Sequence, residues 1–342
     1  MKNVYIIILL FITAFTQAQI VNIPDANFKN ALVNTLCVDT DGNSTFDSDA
    51  DINNDGEIQL SEAQAVLRLN ISDNSINSLE GIESFTELVL LYCQYNAIVD
   101  LDLSQSSNLQ YLRCYNNDLT NLDVTQNPNL EDLYCSSNNL TSLDVTQNVN
   151  LEYLTCNNNE LTNLDVTQNP ALEILECYGT TLTSLDVTQN PNLIWLHCSY
   201  NQLTSLDVTQ NQNLEQLTCH VNQLTSLDLS QNPNLNSLRC EENRLTNLDV
   251  THNPNIETLW CAENELISLD VSQNFNLRRL WCAANPQLIS LNLRNGNNIN
   301  MFDMLAQDNP NLACILVDDE TATYPDCNGT WGWCKDSTTI YS

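Results

Sequence analysis

The chain of 342 residues is poor in positive charge. Only 10 Lys and Arg stand against 43 Asp and Glu, for a formal charge of −33. Phosphate backbones and anionic lipid surfaces are recognised largely by Lys and Arg, so this balance argues against nucleic acid and acidic membranes as partners. Glycine is also scarce, at seven residues, so tight turns must draw their left-handed positions from other residues, and Asn is the expected substitute. Only three His occur, and none stands beside a Cys at zinc-ligand spacing. The longest apolar run, Val4 to Phe15, is too short to span about 30 Å of hydrocarbon. Hydrophobic residues nevertheless make up 42%, which supports a folded core rather than disorder.

That first apolar run has another reading. Lys2 supplies a positive start, and Thr16-Gln17-Ala18 places small residues around a cut after Ala18. This is the pattern of a secretory signal peptide over 1–18. The mature chain then begins at Gln19, and its expected location is outside the cell or on its surface.

Cysteine sets the fold. Cys93, Cys114, Cys135, Cys156, Cys177, Cys198, Cys219, Cys240, Cys261 and Cys282 recur every 21 residues without a slip. Leu stands two positions before each, and Leu or Ile five before; Asn stands three after in all but the Thr180 unit. Within a unit, Leu154 and Cys156 alternate with Tyr153, Thr155 and Asn157, a period of two that marks a strand with one buried face. Leu164 and Val166 flank Asp165 likewise and predict a short extended piece on the opposite side. No coil can bury its Leu set alone, so neighbours must stack, giving roughly eleven or twelve coils. The repeat predicts a β-rich leucine-rich-repeat solenoid with parallel strands over 66–317. A helical cap precedes it at 19–65, and a Trp-bearing tail follows at 318–342. Each repeated Cys fills a slot suited to a small buried hydrophobe. Cys37, Cys314, Cys327 and Cys334 lie outside the file; a tail disulfide is expected, with its pairing open.

The phrases Leu-x-Cys-x-x-Asn and Leu-Asp-Val-Thr-x-Asn-Pro resemble the secreted, internalin-like leucine-rich-repeat proteins of bacteria. The resemblance runs from Ile23 to Asp319. It implies a right-handed solenoid with a protein or glycan ligand held on the concave strand face.

Two residue sets carry candidate chemistry. The first is the loop Asp51-Ile-Asn53-Asn-Asp55-Gly56-Glu57-Ile58-Gln59-Leu-Ser-Glu62. It matches the twelve-residue calcium loop of EF-hands. Asp51, Asn53 and Asp55 would offer side-chain oxygens, and Glu57 its carbonyl. Gln59 would act directly or through water, and Glu62 would bind through both oxygens. Ile58 would point into the cap. Upstream, Asp39, Asp41, Asn43, Asp47 and Asp49 form a weaker second candidate. The role read for calcium is structural, tying the helix near Phe28, Leu32 and Leu36 to the first coil. The second set is the variable one. Most of each unit is copied, and the copies differ chiefly at outward strand positions. These hold Tyr92, Tyr95, Tyr111, Arg113, Tyr115, Tyr134, Tyr153, Glu176, Tyr178, Trp195, His197, Tyr200, His220, Arg239, Glu241, Trp260, Arg279 and Trp281. Tyr, Trp and Arg are the residues enriched at binding hot spots. Strand propensity accounts for aromatics there but not for Arg, His and Glu. The reading is a monomeric binding or adhesion protein with no catalytic residues. A polysaccharide hydrolase is the rival from another class, and an ice-binding Thr/Asp face a remoter one. The convex file that includes Asp123, Asp165, Asp207 and Asp249 is expected to cap local turns, with mutual repulsion raising its carboxyls.

Overall fold

The computed structural model describes residues 19–39, 42–43, 45–328 and 332–342. The leader at 1–18 lies outside them, as does Asp41. Two short helices come first, α1 (Ala26–Asn34) and α2 (Leu60–Ala63). Seventeen strands follow. The first ten are β1 (Arg68–Asn70), β2 (Leu90–Tyr92), β3 (Tyr111–Arg113), β4 (Asp132–Tyr134), β5 (Tyr153–Thr155), β6 (Ile174–Glu176), β7 (Trp195–His197), β8 (Gln216–Thr218), β9 (Ser237–Arg239) and β10 (Thr258–Trp260). The last seven are β11 (Ser268–Asp270), β12 (Arg279–Trp281), β13 (Ser290–Asn292), β14 (Asp303–Ala306), β15 (Cys314–Leu316), β16 (Trp333–Lys335) and β17 (Ile340–Tyr341). They form a thirteen-stranded parallel sheet in the order β1 to β10, β12, β14, β16, and a four-stranded sheet β11-β13-β15-β17. The architecture is the expected parallel β-solenoid, one main strand per coil. Equivalent residues are paired from coil to coil, as in Leu112↔Leu133 and Leu133↔Leu154.

The reason lies inside the coil. Leu151, Leu154, Cys156, Leu161 and Val166 are fully buried, and Leu164 nearly so. A coil this narrow also buries turn backbone, which needs partners. Asn159 supplies them: its Nδ2 donates to the Cys135 carbonyl (3.1 Å) and the Cys156 carbonyl (3.0 Å), while its Oδ1 accepts from the Leu140 amide (2.9 Å). The same bonds recur at Asn138 and Asn222. A second Asn file, unnoticed in the sequence, does this at the opposite turn. Asn169 donates to the carbonyls of Val145 (2.9 Å) and Asn148 (2.8 Å). At Thr180 a hydroxyl on the Cys177 carbonyl (3.0 Å) replaces the amide, and Gly179 precedes it. A Cβ on Gly179 would stand 2.6 Å from Asn158 Oδ1, so the irregular unit is fitted to its neighbour.

The left-handed turn positions are only partly Asn. They fall two residues after each Cys, where Asn116 and Asn158 adopt positive φ, but so do Tyr95, Tyr200, Glu242 and Val221 (φ 53°). The turn imposes this backbone whatever the side chain, even on a β-branched Val. Along the convex side, the extended pieces become paired strands only from β11 onward; Leu164–Val166 has no ladder partner.

The cap is docked by one carboxylate. Asp25 caps α1 by accepting from the amides of Asn27 (2.9 Å) and Phe28 (3.0 Å), and its other oxygen accepts from Asn77 (2.9 Å) and Ser78 (3.1 Å) of the first coil. Burial works against its ionised form, but these four amides prevail and hold the carboxyl below its ordinary value. Phe28 and Leu32 are buried, and Phe28 meets Phe85 at 6.4 Å. Leu36, expected beside them, is 67% exposed: α1 stops at Asn34 and Thr35 is extended, so Leu36 leaves the helical face.

The ten-Cys file is free thiol throughout and buried, and Cys327 pairs with Cys334. Burial pushes the Cys156 and Cys282 thiols up to about 12, so thiolate is scarce near neutral pH. A thiol reagent should therefore label native protein at half-exposed Cys314 and leave the other eleven free thiols slow until denaturant is added; rapid native labelling of the file contradicts the packing. Asn159→Ala should cost about 2–4 kcal/mol through stranded backbone groups, against roughly 0.5 or less for surface Gln168→Ala, read from urea midpoints.

Candidate functional site

The thirteen-stranded sheet sends its non-core residues outward in three files, at three before, one before and one after each Cys. Every sequence-named residue of the binding set lies there, except that Tyr95 and Tyr200 project from the adjoining left-handed turns. The middle file is a column of stacked groups. The Arg113 guanidinium lies 4.5 Å from the Tyr92 ring centroid and 5.2 Å from that of Tyr134. Tyr178, from the file one after Cys, stacks on His197 of the middle file at 4.2 Å. Arg239 lies 4.1 Å over Trp260, which stacks on Trp281 at 4.0 Å with a 2° interplanar angle. The parallel register produces this, because each coil sets equivalent side chains about 4.8 Å apart. Tyr115 meets Tyr95 edge-on at 5.2 Å. Phe46 of the cap loop reaches Tyr92 at 6.2 Å, a contribution that repeat counting cannot see.

Two sites within the face are electrostatically distinct. In the middle, His220 shares a 2.8 Å hydrogen bond with Ser199 through Nδ1 and meets Tyr200 edge-on at 4.9 Å. Glu241 Oε1 is 4.0 Å from the same nitrogen, but it is bound more closely by Arg239 at 2.7 Å. Burial and the Arg239 charge push His220 down to about 4; burial, His220 and Arg239 do the same to His197. Both are neutral at pH 7. Ser199, His220 and Glu241 superficially suggest a nucleophile triad. The geometry is wrong, because hydroxyl and carboxylate both approach Nδ1 and Ser199 is fully buried. Toward the N-terminal end, Asp132 sits in register between Tyr111 and Tyr153. Burial raises its carboxyl to about 6, with Arg113 opposing and Glu131 and Glu152 reinforcing. The sequence reading missed Asp132. Its offset, three before a Cys like Tyr111 and Trp195, was the available signal.

The acidic loop folds around its own oxygens. Asp51 is buried and accepts from the amides of Gly56 (2.7 Å) and Asp55 (3.1 Å). Asn53 Oδ1 also accepts from Asp55 (2.8 Å), and Asp55 accepts from Glu57 (2.9 Å) and from Gln59 Nε2 (3.0 Å). Glu62 reaches back to the amides of Gln59 (2.9 Å) and Asn53 (3.1 Å). Gly56 takes a positive φ of 81° at the sharp turn, and Ile58 is buried in the cap. The Glu57 side chain turns away to Lys29 at 2.6 Å. Among the described residues, no three or more His, Cys, Asp or Glu side chains converge tightly enough to hold a metal without other donors. Asp39 of the upstream group is buried, accepts from Gly42 (2.8 Å) and faces Arg68 at 3.7 Å.

The convex Asp file caps its local turns as expected, but the carboxyls of Asp123, Asp165 and Asp249 fall rather than rise. At Asp123, Asp165 and Asp249 the Thr two residues on donates its hydroxyl and then its amide, and both hold the carboxyl below its ordinary value. Local turn capping outweighs repulsion between coils in these exposed positions, where water screens the neighbours.

Stacked coils with one parallel strand each, a Leu/Cys interior and an Asn file at the turn define a leucine-rich-repeat protein. No family model matches the sequence, and no curated protein matches it. Solved structures do. The functional domain of InlJ from Listeria monocytogenes, which includes a cysteine ladder, is 33% identical over 88% of this chain and 76% of its own, with a TM-score of 0.71. The internalin InlF of Listeria monocytogenes matches at 18% identity over 89% and 93%, TM-score 0.64. YopM from Yersinia enterocolitica matches at 27% over 74% and 57%, TM-score 0.56. The chain belongs to the internalin-like leucine-rich-repeat family. No helix among the described residues is long and apolar enough to cross a membrane.

Proposed function

We propose that this chain is an exported, non-enzymatic binding protein that recognises a protein ligand across the outward face of its thirteen-stranded sheet. The observation that carries the reading is where the coils differ. Their interior and convex residues are near copies, whereas the outward files change from coil to coil and, with the adjoining turns, hold eight of the eleven Tyr and three of the five Trp. Binding surfaces concentrate their energy in such Tyr, Trp and Arg anchors. The kinship with InlJ supports the reading, and glycan recognition is the outcome that would redirect it. Export is supported by the Lys2–Ala18 pattern and by the Cys327–Cys334 disulfide, which suits an oxidising compartment. Calcium is proposed as a structural ion of the cap. Asp51, Asn53 and Asp55, with Gln59, Glu62 and the Glu57 carbonyl, are hard oxygen donors of the right kind and order; the upstream set, Asp39 and Asp41 included, is the weaker candidate.

Two measurements test this. On an array of extracellular proteins and glycans, Tyr111→Ala, Tyr134→Ala and Trp195→Ala should each weaken the ligand found with wild type by roughly 10-fold or more, at unchanged melting temperature. If all three bind like wild type, the face is wrongly assigned. For the cap, excess calcium over chelator should raise the melting temperature, and Glu62→Gln should erase the difference. An equal midpoint with and without calcium rejects the ion.

A further inference from the structure

The N-terminal part of the outward face is laid out for a charge that the chain itself does not supply. Over β2 to β4 the middle file reads Tyr92, Arg113, Tyr134, with the guanidinium between two rings at 4.5 and 5.2 Å. One file across, over β3 to β5, it reads Tyr111, Asp132, Tyr153. The frame of two tyrosines from alternate coils is the same, but a carboxylate stands at its centre. The Asp132 carboxylate makes no hydrogen bond and no ion pair among the described residues. The two tyrosine hydroxyls do not serve it: Tyr111 donates to Glu131 (2.7 Å) and Tyr153 to Glu173 (3.4 Å). Arg113 lies over the Tyr92 and Tyr134 rings and makes no ion pair with Asp132; its charge opposes the rise of the Asp132 carboxyl, and burial outweighs it.

We propose that Tyr111, Asp132 and Tyr153 form the seat for a Lys or Arg side chain of the protein ligand, with Asp132 as counter-charge and the tyrosines as walls. This rests on the sheet-face reading above and specifies the partner's chemistry within it. Three facts favour an organic cation. The adjacent Tyr-Arg-Tyr column shows that this coil spacing accommodates a guanidinium between rings. Glu131 and Glu152 add negative potential around Asp132. A chain of net charge −33 with 10 basic residues steers basic partners toward it. A metal ion suits the seat poorly, since no three ligating side chains converge there. The unpaired, half-buried carboxylate is unfavourable in the free protein. Its folded pKa is raised to about 6, above the unfolded value of about 3.9, so it lowers stability above pH 6 and that cost disappears as pH falls.

The probe is a fluorescein-labelled tetra-arginine peptide, titrated at physiological salt and read by anisotropy. Asp132→Asn should weaken it roughly 10-fold, while Glu160→Gln, an equal charge change at an exposed turn position, should change it less than about 2-fold. Wild-type binding should weaken as pH falls through 6 and lose that pH dependence in Asp132→Asn. Asp132→Asn should also melt no lower than wild type at pH 8, which separates loss of binding from loss of fold. Equal effects of the two substitutions, or a peptide affinity indifferent to Asp132→Asn, overturn the seat. If the array ligand still depends on Tyr134 and Trp195 in that case, the face remains the binding surface and only the cationic seat fails.

Discussion

A narrow coil cannot exist unless its buried turn backbone is hydrogen-bonded, and here the side-chain amide of Asn meets that need. An Asn carboxamide has donors and an acceptor in one flat group. Asn159 uses them on three backbone groups in two adjacent coils, Leu140 and Cys135 of the preceding coil and Cys156 of its own. Asn169 does comparable work at the opposite turn. Each amide ties its own coil to the one before, so geometry is passed along the stack. The 21-residue period suits these bonds, and a longer coil keeps them by looping out its extra residues: Asn309 still donates to the carbonyls of Cys282 (3.1 Å) and Ala306 (2.8 Å).

That constancy is what makes the outward face usable. With register fixed, neighbouring side chains fall into columns, and sequence changes at three offsets alter chemistry without altering shape. Arg113 between two tyrosines, Arg239 on Trp260, and Trp260 on Trp281 are consequences of column spacing as much as of residue choice. The same columns place neutral His197 and His220 beside Arg239, where burial and positive charge keep protons off them.

The solenoid was legible because its signal is periodic: Leu154, Cys156 and Asn159 each recur in the units, so one unit argues for all. Outward positions were legible by alternation, which placed Tyr111, Arg113 and Trp195 on the sheet face. What escaped was either non-periodic or chemically modest. Asp132 was hidden among many acids, and only its neighbours in register distinguish it. Asn169 drew no separate reading, and only the structure shows its amide buried at the turn. Leu36 was assigned to a helical face that ends two residues earlier. The Asp165 carboxyl was expected to rise by stacking, but a Thr hydroxyl and amide two residues away act at shorter range than the next coil's charge.

The cysteine file has a consequence for how the chain reaches this state. Ten thiols in consecutive coils stand in a dry interior, yet the tail contains a disulfide. An unfolded copy in an oxidising compartment would expose all of them at once, in a chain where many mispairings are open. In such a compartment their survival as thiols would depend on order of events: coils would have to stack before oxidant arrives. Local contacts between adjacent coils allow stacking to propagate from any nucleus, which makes rapid burial a form of chemical protection. If the chain is exported as proposed, the repeat's short-range topology would serve maturation as well as shape, and the delay between translocation and coil closure would set the yield of correctly reduced protein.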